Sequence, residues 1–245
     1  MGSKNLELVR DIQERYEAAQ EKVAEAARRS GRNVDDVRLL VVTKKQPLPI
    51  LQAALSAGIS LFGENYPEEA VSKQQSLEDD SGVEWHMIGH VQSRKASLVA
   101  ENFALLHSLD SLKLARRLDR FCADAGERLP VLLQFNVGNE ESKFGWKAAN
   151  KTDWNDFLPD VEGILELRNL EIKGLMTMPP FFLDAEGTRP YFQRLRVLRD
   201  YLGGRYPQAD WLHLSMGTSG DYHIAVEEGA TIVRLGQAVL GPRPS

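Results

Sequence analysis

The chain has 245 residues, of which 42% are hydrophobic and 27% charged, as in an ordinary globular protein. Its 30 basic and 35 acidic side chains give a net charge of −5, which argues against broad nucleic-acid binding because that needs a basic face. No apolar run approaches the roughly 20 residues that cross a bilayer, so we expect no membrane association. The single cysteine, Cys122, leaves no internal disulfide and fits a reducing, cytoplasmic location.

The first predicted element is a long amphipathic helix over residues 1–31. Apolar side chains recur at spacings of three and four between Leu6 and Ala26, which places them on one helical stripe. Arg28 lies in the last turn, and Gly31 follows as a typical helix end. We expect this helix to pack on the remainder of a single domain that spans residues 1–245.

After this helix, short β-rich apolar runs alternate with helix-compatible stretches. The eight predicted strands cover residues 37–43, 59–62, 83–88, 104–108, 130–137, 170–176, 211–215 and 231–235. Eight strands separated by helices indicate a parallel sheet closed into one (β/α)8 barrel, the TIM-type α/β fold, which takes roughly 250 residues. An open doubly wound sheet is the alternative, but it usually carries a Gly-rich fingerprint after its first strand. Here that position holds Lys44-Lys45-Gln46-Pro47, which favours the barrel.

Polar residues at strand ends are the candidate site residues, because barrel active sites lie at the carboxyl ends of the strands. The first strand ends in Thr43-Lys44-Lys45. A lysine that emerges from a barrel core is partly desolvated, which makes its amine a better carbonyl nucleophile. Only one of the two lysines can face the mouth, since alternate strand side chains point to opposite sides. From this strand alone, a pair of solvated surface lysines is the alternative.

The next strand ends offer further candidates. Asn65, after the second strand, can donate and accept hydrogen bonds to a cofactor ring, although a plain turn fits equally well. His86 and His90 have an i, i+4 spacing that suits a metal only on a helix, so we expect no metal site there. We interpret His86 as a core residue or as a supporting hydrogen-bond partner.

The fifth and sixth strands predict part of a pocket wall. Gln134 and Asn136 share one face of the fifth strand, and two inward amides need polar partners. Met176, in the sixth strand, lies either against a ring or in the core.

The end of the chain predicts an anion site. The seventh strand leads through small residues at 215–221 into a helix, where backbone amides and hydroxyls form a cradle. The eighth strand contains Arg234 and is followed by Gly236, where a phosphate can approach the backbone. Barrels commonly hold phosphate at the loops after these two strands. An amine, a phosphate cradle and an arginine together indicate pyridoxal 5′-phosphate (PLP), and this coincidence raises Lys44 above a surface lysine.

These motifs, in this order, closely resemble the PLP homeostasis protein family, which is related to the barrel domain of alanine racemase and has PLP fold type III. The resemblance runs from about Leu39 to the end of the chain. It is carried by Val42-Thr43-Lys44, Phe62-Gly63-Glu64-Asn65-Tyr66, Trp85-His86-Met87-Ile88-Gly89, Glu141-Ser142-Lys143-Phe144-Gly145, Gly174-Leu175-Met176-Thr177, Ser215-Met216-Gly217-Thr218-Ser219-Gly220-Asp221 and Val233-Arg234-Leu235-Gly236.

The resemblance implies a role for each candidate. Lys44 corresponds to the Schiff-base lysine, and Arg234 to the partner of the pyridine nitrogen. The remaining positions correspond to phosphate ligands at Ser219, Gly236 and Gln237 and to cofactor-facing residues at Asn65 and Met176. Gln237 stands where the family often has threonine, so only its backbone contact carries over. Lys45-Gln46 stands where many relatives have a residue and then a second lysine, so an accessory-lysine role does not carry over.

The resemblance implies a non-catalytic PLP carrier that buffers the cofactor and releases it to apo-enzymes. Racemase chemistry of the alanine racemase type needs a second base from an additional domain, and we expect none because the chain ends at Ser245, soon after its last strand. A monodomain racemase is the enzyme alternative, and a cofactor-free Schiff-base aldolase or a pure interaction protein are others. We expect a monomer without catalytic residues, since the missing domain also removes a dimerisation surface.

Overall fold

Eight parallel strands form a closed barrel in the computed structural model, which describes residues 3–77 and 82–242, with side chains from residue 5 onward. The described residues contain nine strands, of which eight form the ring: β1 (Arg38–Val42), β2 (Leu61–Glu64), β3 (Glu84–Met87), β4 (Leu105–Leu109), β5 (Leu129–Asn136), β6 (Trp146–Lys147), β7 (Leu170–Met176), β8 (His213–Ser215) and β9 (Ile232–Leu235). The order β4-β3-β2-β1-β9-β8-β7-β5 closes through a β4–β5 pairing, which confirms the predicted barrel. The short β6 pairs with β5 outside this ring and was not predicted.

Helices connect the strands and cover the barrel. They are α1 (Ser3–Arg29), α2 (Leu48–Ser56), α3 (Pro67–Gln75), α4 (Ala96–Asn102), α5 (Leu112–Ala125), α6 (Trp154–Leu165), α7 (Arg189–Arg205), α8 (Tyr222–Glu227) and α9 (Gln237–Leu240). No helix within the described ranges is long and apolar enough to span a membrane.

Element boundaries differ from the predictions where local pairing decides them. β2 extends beyond Phe62 to Glu64, because Gly63 and Glu64 pair with β3. β8 begins later than predicted, because the Asp210 side chain accepts the Leu212 N–H at 3.0 Å and turns the chain there.

Strand alternation separates two cores. Leu40 and Val42 of β1 point into the barrel and join a small inner cluster with Met176, whereas Leu39 and Val41 point outward. The outward residues meet the apolar faces of the surrounding helices in the main core. The barrel interior therefore continues the inward series of each strand toward the mouth, and on β1 the next inward position after Val42 belongs to Lys44.

The N-terminal helix α1 packs against α2, α8 and α9. Its apolar stripe buries Ile12, Ala19 and Val23, as the helical spacing predicts. The helix ends where Gly31 adopts a φ of +69°, a left-handed conformation that glycine takes without steric cost. The predicted domain of residues 1–245 also includes 1–2, 78–81 and 243–245, which lie outside the described residues.

Candidate functional site

A cavity of about 640 Å³ opens at the carboxyl ends of the barrel strands. It is lined by all seven residues that the sequence predicted for the site: Lys44, Asn65, Met176, Ser219, Arg234, Gly236 and Gln237. Because these residues lie in or directly after five different strands, closure of the barrel is what brings them together. Their individual roles toward a ligand stay predictions.

Lys44 lies in the turn after β1, half-buried against the cavity, whereas Lys45 is exposed. Only one of the two lysines therefore faces the mouth. Lys45 has a φ of 57°, in the left-handed region that costs a non-glycine residue roughly 1 kcal/mol or more. Its backbone N–H donates to Glu69 Oε1 at 2.6 Å, which holds the turn in this conformation.

A buried ionic cluster fixes the backbone beside Lys44. The Lys73 ammonium donates to Glu64 Oε1 at 2.6 Å, to Glu69 Oε1 at 2.7 Å and to the Thr43 carbonyl at 2.7 Å. Glu64 Oε1 also accepts from the Thr43 hydroxyl at 2.6 Å. We call Thr43, Glu64, Glu69 and Lys73 the ionic clamp. Burial raises the pKa of Glu64, while the hydrogen bonds from Lys73 and Thr43 lower it.

Asn65 directly follows Glu64 of the clamp and lines the cavity. Its side-chain Oδ1 is buried and has no hydrogen-bond partner among the described residues. The backbone of Asn65 is approached so closely by Gly89 that a Cβ at residue 89 would collide with it. Since an orphaned buried acceptor is costly, the Asn65 amide is suited to a ligand that donates a hydrogen bond.

Arg234 lies on β9, which pairs directly with β1, the strand that leads to Lys44, and only 4% of its surface is exposed. Its guanidinium donates to Ser215 Oγ at 2.5 Å, to the Thr177 carbonyl at 2.9 Å and to Met178 Sδ at 2.9 Å. Burial lowers its pKa to about 10, so it remains a cation at neutral pH. These contacts use three of the five guanidinium N–H groups, which leaves two for a group in the cavity as far as the described residues go.

The predicted anion cradle consists of two adjoining loops. Asp221 Oδ1 accepts from the Thr218 N–H at 2.6 Å and closes a turn with Ser219 at its exposed tip. The other loop carries Gly236, directly before α9. Ser219 Oγ accepts from the Ala238 N–H at 3.4 Å, which connects the two loops. The arrangement places a hydroxyl and adjoining backbone at one end of the cavity.

The fifth-strand amides hold a loop over the cavity. Asn136 Nδ2 donates to the Glu140 carbonyl at 2.7 Å, and Gln134 Nε2 donates to the Phe144 carbonyl at 3.1 Å. Phe144 in turn stacks on His90, with 3.8 Å between ring centroids and 9° between planes. Gln134 lines the cavity, as the inward amide pattern predicts, while Asn136 supports the loop.

Sequence reasoning did not assign the cavity-lining residues Tyr66, His90 and Phe144. Tyr66 and Phe144 lie inside motifs that carry the family resemblance, and only this could have pointed to a place in the cavity wall. His90 follows the β3 end, but its stacking depends on a loop more than 50 residues away in sequence.

Two further features concern metal binding and the single thiol. Within residues 3–77 and 82–242, no group of three or more His, Cys, Asp or Glu side chains is placed to hold a metal ion. Cys122 is buried, and desolvation raises the pKa of its thiol to about 11, so the thiolate needed for nucleophilic chemistry is scarce. His86 is buried and hydrogen-bonded, in line with the interpretation from the sequence.

Comparison with known proteins defines the class. The family model described as alanine racemase, N-terminal domain, matches residues 15–244, so the chain is a barrel of this class. The pyridoxal phosphate homeostasis proteins of Aquifex aeolicus and Vibrio alginolyticus are 37% and 38% identical, over 94% and 95% of this chain and 97% of each relative. The chain belongs to the family of pyridoxal phosphate homeostasis proteins, which confirms the resemblance read from its motifs.

A solved structure supports the same relationship. PipY of Synechococcus elongatus, solved with PLP bound, superposes with a TM-score of 0.79 at 35% identity. The match covers 94% of this chain and 100% of that chain.

Proposed function

We propose that this protein binds PLP in the mouth of the barrel as a Schiff base on Lys44, and that it buffers the cofactor and passes it on without strong catalysis. The name of the curated relatives and the PLP-bound PipY structure support this proposal. The observation that carries it is local. Lys44, Arg234 and the loops of Ser219 and Gly236 line one cavity, whose volume lies within the usual range for small-molecule sites.

The residues present fit the three polar groups of PLP. The Lys44 amine suits the aldehyde, and the hydroxyl of Ser219 with the backbone of Gly236 and Gln237 suits the phosphate. Arg234 suits the pyridine nitrogen, and Met176 packs along the inner cluster beneath the cavity. The orphaned Oδ1 of Asn65 gives a further acceptor in the same space.

The identity of the pyridine partner restrains the chemistry. When bound, PLP supplies an electron sink whose strength depends on protonation of its ring nitrogen. Arg234 stays cationic at neutral pH and only donates hydrogen bonds, so it does not supply a proton that protonates that nitrogen fully. This electrostatic setting supports a role in holding the cofactor more than a role in carbanion chemistry.

Borohydride trapping tests the proposal. The purified protein should show a visible chromophore that sodium borohydride bleaches and fixes to the chain. Lys44→Ala should lose both the chromophore and the fixed adduct, because no other amine is expected to replace it. Lys45→Ala is the matched control, since Lys45 is the exposed neighbour and should be dispensable. Covalent cofactor retained by Lys44→Ala, as seen by mass spectrometry, would overturn the assignment.

The racemase alternative makes a separate prediction. Racemisation needs a base on each side of the substrate, and besides Lys44 the cavity wall includes Tyr66, His90 and Lys143. We nevertheless expect no α-proton exchange on common amino acids in deuterated water, because Arg234 as the pyridine partner weakens the electron sink that such exchange needs. Exchange that disappears in Lys44→Ala would instead establish an enzyme.

Cofactor release tests the carrier part of the proposal. Protein loaded with PLP should reactivate an apo PLP-dependent enzyme, and its chromophore should fade in parallel. We further propose that the protein acts as a monomer, which light scattering of the loaded protein checks. A loaded protein that never yields its cofactor to an apo-enzyme would contradict a carrier role.

A further inference from the structure

A row of buried polar side chains crosses the barrel interior below the cavity. Ser215 Oγ, which accepts from Arg234, lies 2.8 Å from His107 Nδ1. His107 Nε2 lies 2.9 Å from His86 Nδ1, and His86 Nε2 lies 2.7 Å from Glu84 Oε1. Ser215, His107 and His86 are completely buried. The row occupies inward strand positions, where barrels of this type usually carry bulky apolar side chains.

The row connects the two ends of the barrel. Arg234 lies near the carboxyl end of β9, at the cavity, whereas Glu84 is the first residue of β3 at the opposite end. There Glu84 forms a bidentate ion pair with Arg38, the first residue of β1. The Arg38 guanidinium donates to Glu84 Oε1 at 3.1 Å and to Glu84 Oε2 at 2.5 Å. Both side chains of this pair are more than a third exposed, so solvent reaches that end of the row.

The two ends determine where every proton in the row lies. Glu84 is ionised and can only accept, so His86 carries its proton on Nε2 and accepts at Nδ1. His107 must then donate from Nε2 to His86 and accept at Nδ1. Ser215 therefore donates to His107, which leaves its oxygen to accept from Arg234, a residue that can only donate. With both imidazoles neutral, no other arrangement satisfies all the contacts.

We infer that Ser215, His107 and His86 form a directional hydrogen-bond relay, which positions Arg234 and couples it to the Arg38–Glu84 ion pair at the far end of the barrel. His107 and His86 are positioning residues, since they act through Ser215 and Arg234. The inference rests on the proposed function only in taking the pyridine nitrogen of PLP as the group that Arg234 meets.

Protonation from the solvent end would reverse the relay. A proton on His86 Nδ1 would face the Nε2 proton of His107, so His107 would have to turn its donor toward Ser215. Both Arg234 and His107 would then donate to one hydroxyl oxygen. The charged and titratable groups around the imidazoles are Glu84, Arg38, His213 and Arg234, from β3, β1, β8 and β9. Burial, and then the cations among them, lower the pKa of His107. His107 therefore stays neutral at neutral pH, and the relay keeps the donor order in which Ser215 donates to His107 and His107 donates to His86.

Nitrogen-15 NMR of the cofactor-free protein tests the relay without reference to PLP. We expect His86 and His107 both as the neutral Nε2–H tautomer at pH 7, with no titration near the ordinary histidine pKa of about 6.5. An Nδ1–H tautomer for either ring, or a protonated ring at pH 7, would overturn the inference. This result stands even if the protein never binds PLP, so failure of the relay and failure of the proposed function are distinguishable.

The loaded protein tests the coupling to the site. His107→Phe keeps a ring of similar size but removes both relay nitrogens, so Ser215 loses its acceptor and Arg234 its fixed orientation. We expect a shifted visible band of bound PLP, an altered pH midpoint of that band and an affinity about 3- to 10-fold weaker. His213→Asn is the control, because His213 is also on the barrel interior but bonds to Thr231 outside the relay.

The comparison of the two variants decides the outcome. A folded His107→Phe protein with the band, pH midpoint and affinity of the wild type would refute coupling. If His107→Phe does not fold, the same spectra are recorded for Ser215→Ala, which removes the hydroxyl between His107 and Arg234. An unchanged spectrum there would refute it equally.

Discussion

Two neighbouring parts of the cavity wall, at the ends of β1 and β9, are supported by buried polar groups of different kinds. Beside Lys44, the ionic clamp places one ammonium between two carboxylates, with Lys73 and Glu64 almost fully enclosed. Beneath Arg234, a neutral relay of a hydroxyl and two imidazoles leads away from a buried cation that has no directly bonded carboxylate among the described residues.

The difference separates two tasks. Buried ion pairs such as those of the clamp are costly to break, because removing one partner leaves the other desolvated and unpaired. Neutral imidazoles can reverse their donor direction without leaving a buried charge behind. The ionic clamp therefore holds the backbone turn that carries Lys44. The relay sets the electrostatic environment of any group that contacts the Arg234 guanidinium.

Removal of Lys73 should give the largest effect. Lys73→Met leaves Glu64 buried without its cation, which should lower the free energy of unfolding by about 3 kcal/mol at neutral pH. Urea denaturation measures this loss. Lys95→Met is the matched control, since Lys95 pairs with exposed Glu68 and should cost less than about 1 kcal/mol. Equal losses in the two variants would remove the distinction between the clamp and an ordinary surface pair.

Removal of the Glu84 charge should have a smaller, pH-dependent effect. Hydrogen bonds from His86 and Arg38 lower the pKa of Glu84 from 4.5 to about 2. A depressed carboxyl pKa stabilises the fold above the unfolded-state pKa, and this stability disappears as pH falls from about 4.5 through 2. Glu84→Gln should thus cost on the order of 1 kcal/mol at pH 7, after allowance for the exposure of the pair.

Urea midpoints at pH 7, 5 and 3 check the Glu84 prediction. The gap between wild type and Glu84→Gln should be present at pH 7 and 5 and should narrow at pH 3. Glu171→Gln serves as the comparison, because Glu171 pairs with Lys173 at the surface and should change stability by less than about 0.5 kcal/mol. A gap that widens toward pH 3 would show that the Glu84 carboxylate does not anchor the relay.

Removal of the Ser219 hydroxyl should have the smallest effect on the fold. Ser219 is exposed at a loop tip, so Ser219→Ala should change stability by less than about 0.5 kcal/mol. Loss of one hydrogen bond to a charged phosphate should weaken PLP binding by roughly tenfold. Titration of the visible band measures the affinity, with Ser76→Ala on an exposed helix end as the control. Unchanged affinity in Ser219→Ala would indicate that the phosphate binds at another part of the cavity.

The position of the cavity and seven of its lining residues could be predicted because strand ends converge in a closed barrel. Lys44, Arg234 and Gly236 were recognisable from their positions after apolar runs, without any distance information. The same reasoning cannot reach His107, which lies inside an apolar run and bonds to Ser215, 108 residues later. Whether an inward histidine meets a serine or a leucine depends on strand stagger, which sequence spacing does not specify.

The ionic clamp was missed for a related reason. Glu64 and Lys73 are nine residues apart, on a strand and the following helix, a spacing that no single periodicity brings together. Burial of both was equally unforeseen, because lysine and glutamate are mostly solvent-exposed in proteins. Glu64 belongs to the motif Phe62-Gly63-Glu64-Asn65-Tyr66, but its ionic contacts are visible only in the three-dimensional structure.

The left-handed conformation of Lys45 is strained, so the turn after β1 would relax to a different backbone conformation if nothing held it. Relaxation to an ordinary φ would release roughly 1 kcal/mol, and the hydrogen bond that the Lys45 N–H donates to Glu69 opposes it. Lys44 thus directly precedes a strained residue whose conformation is held by a carboxylate of α3. We expect loss of the Glu69 contact to relax this turn and to shift Lys44 relative to the cavity without any movement of the strands.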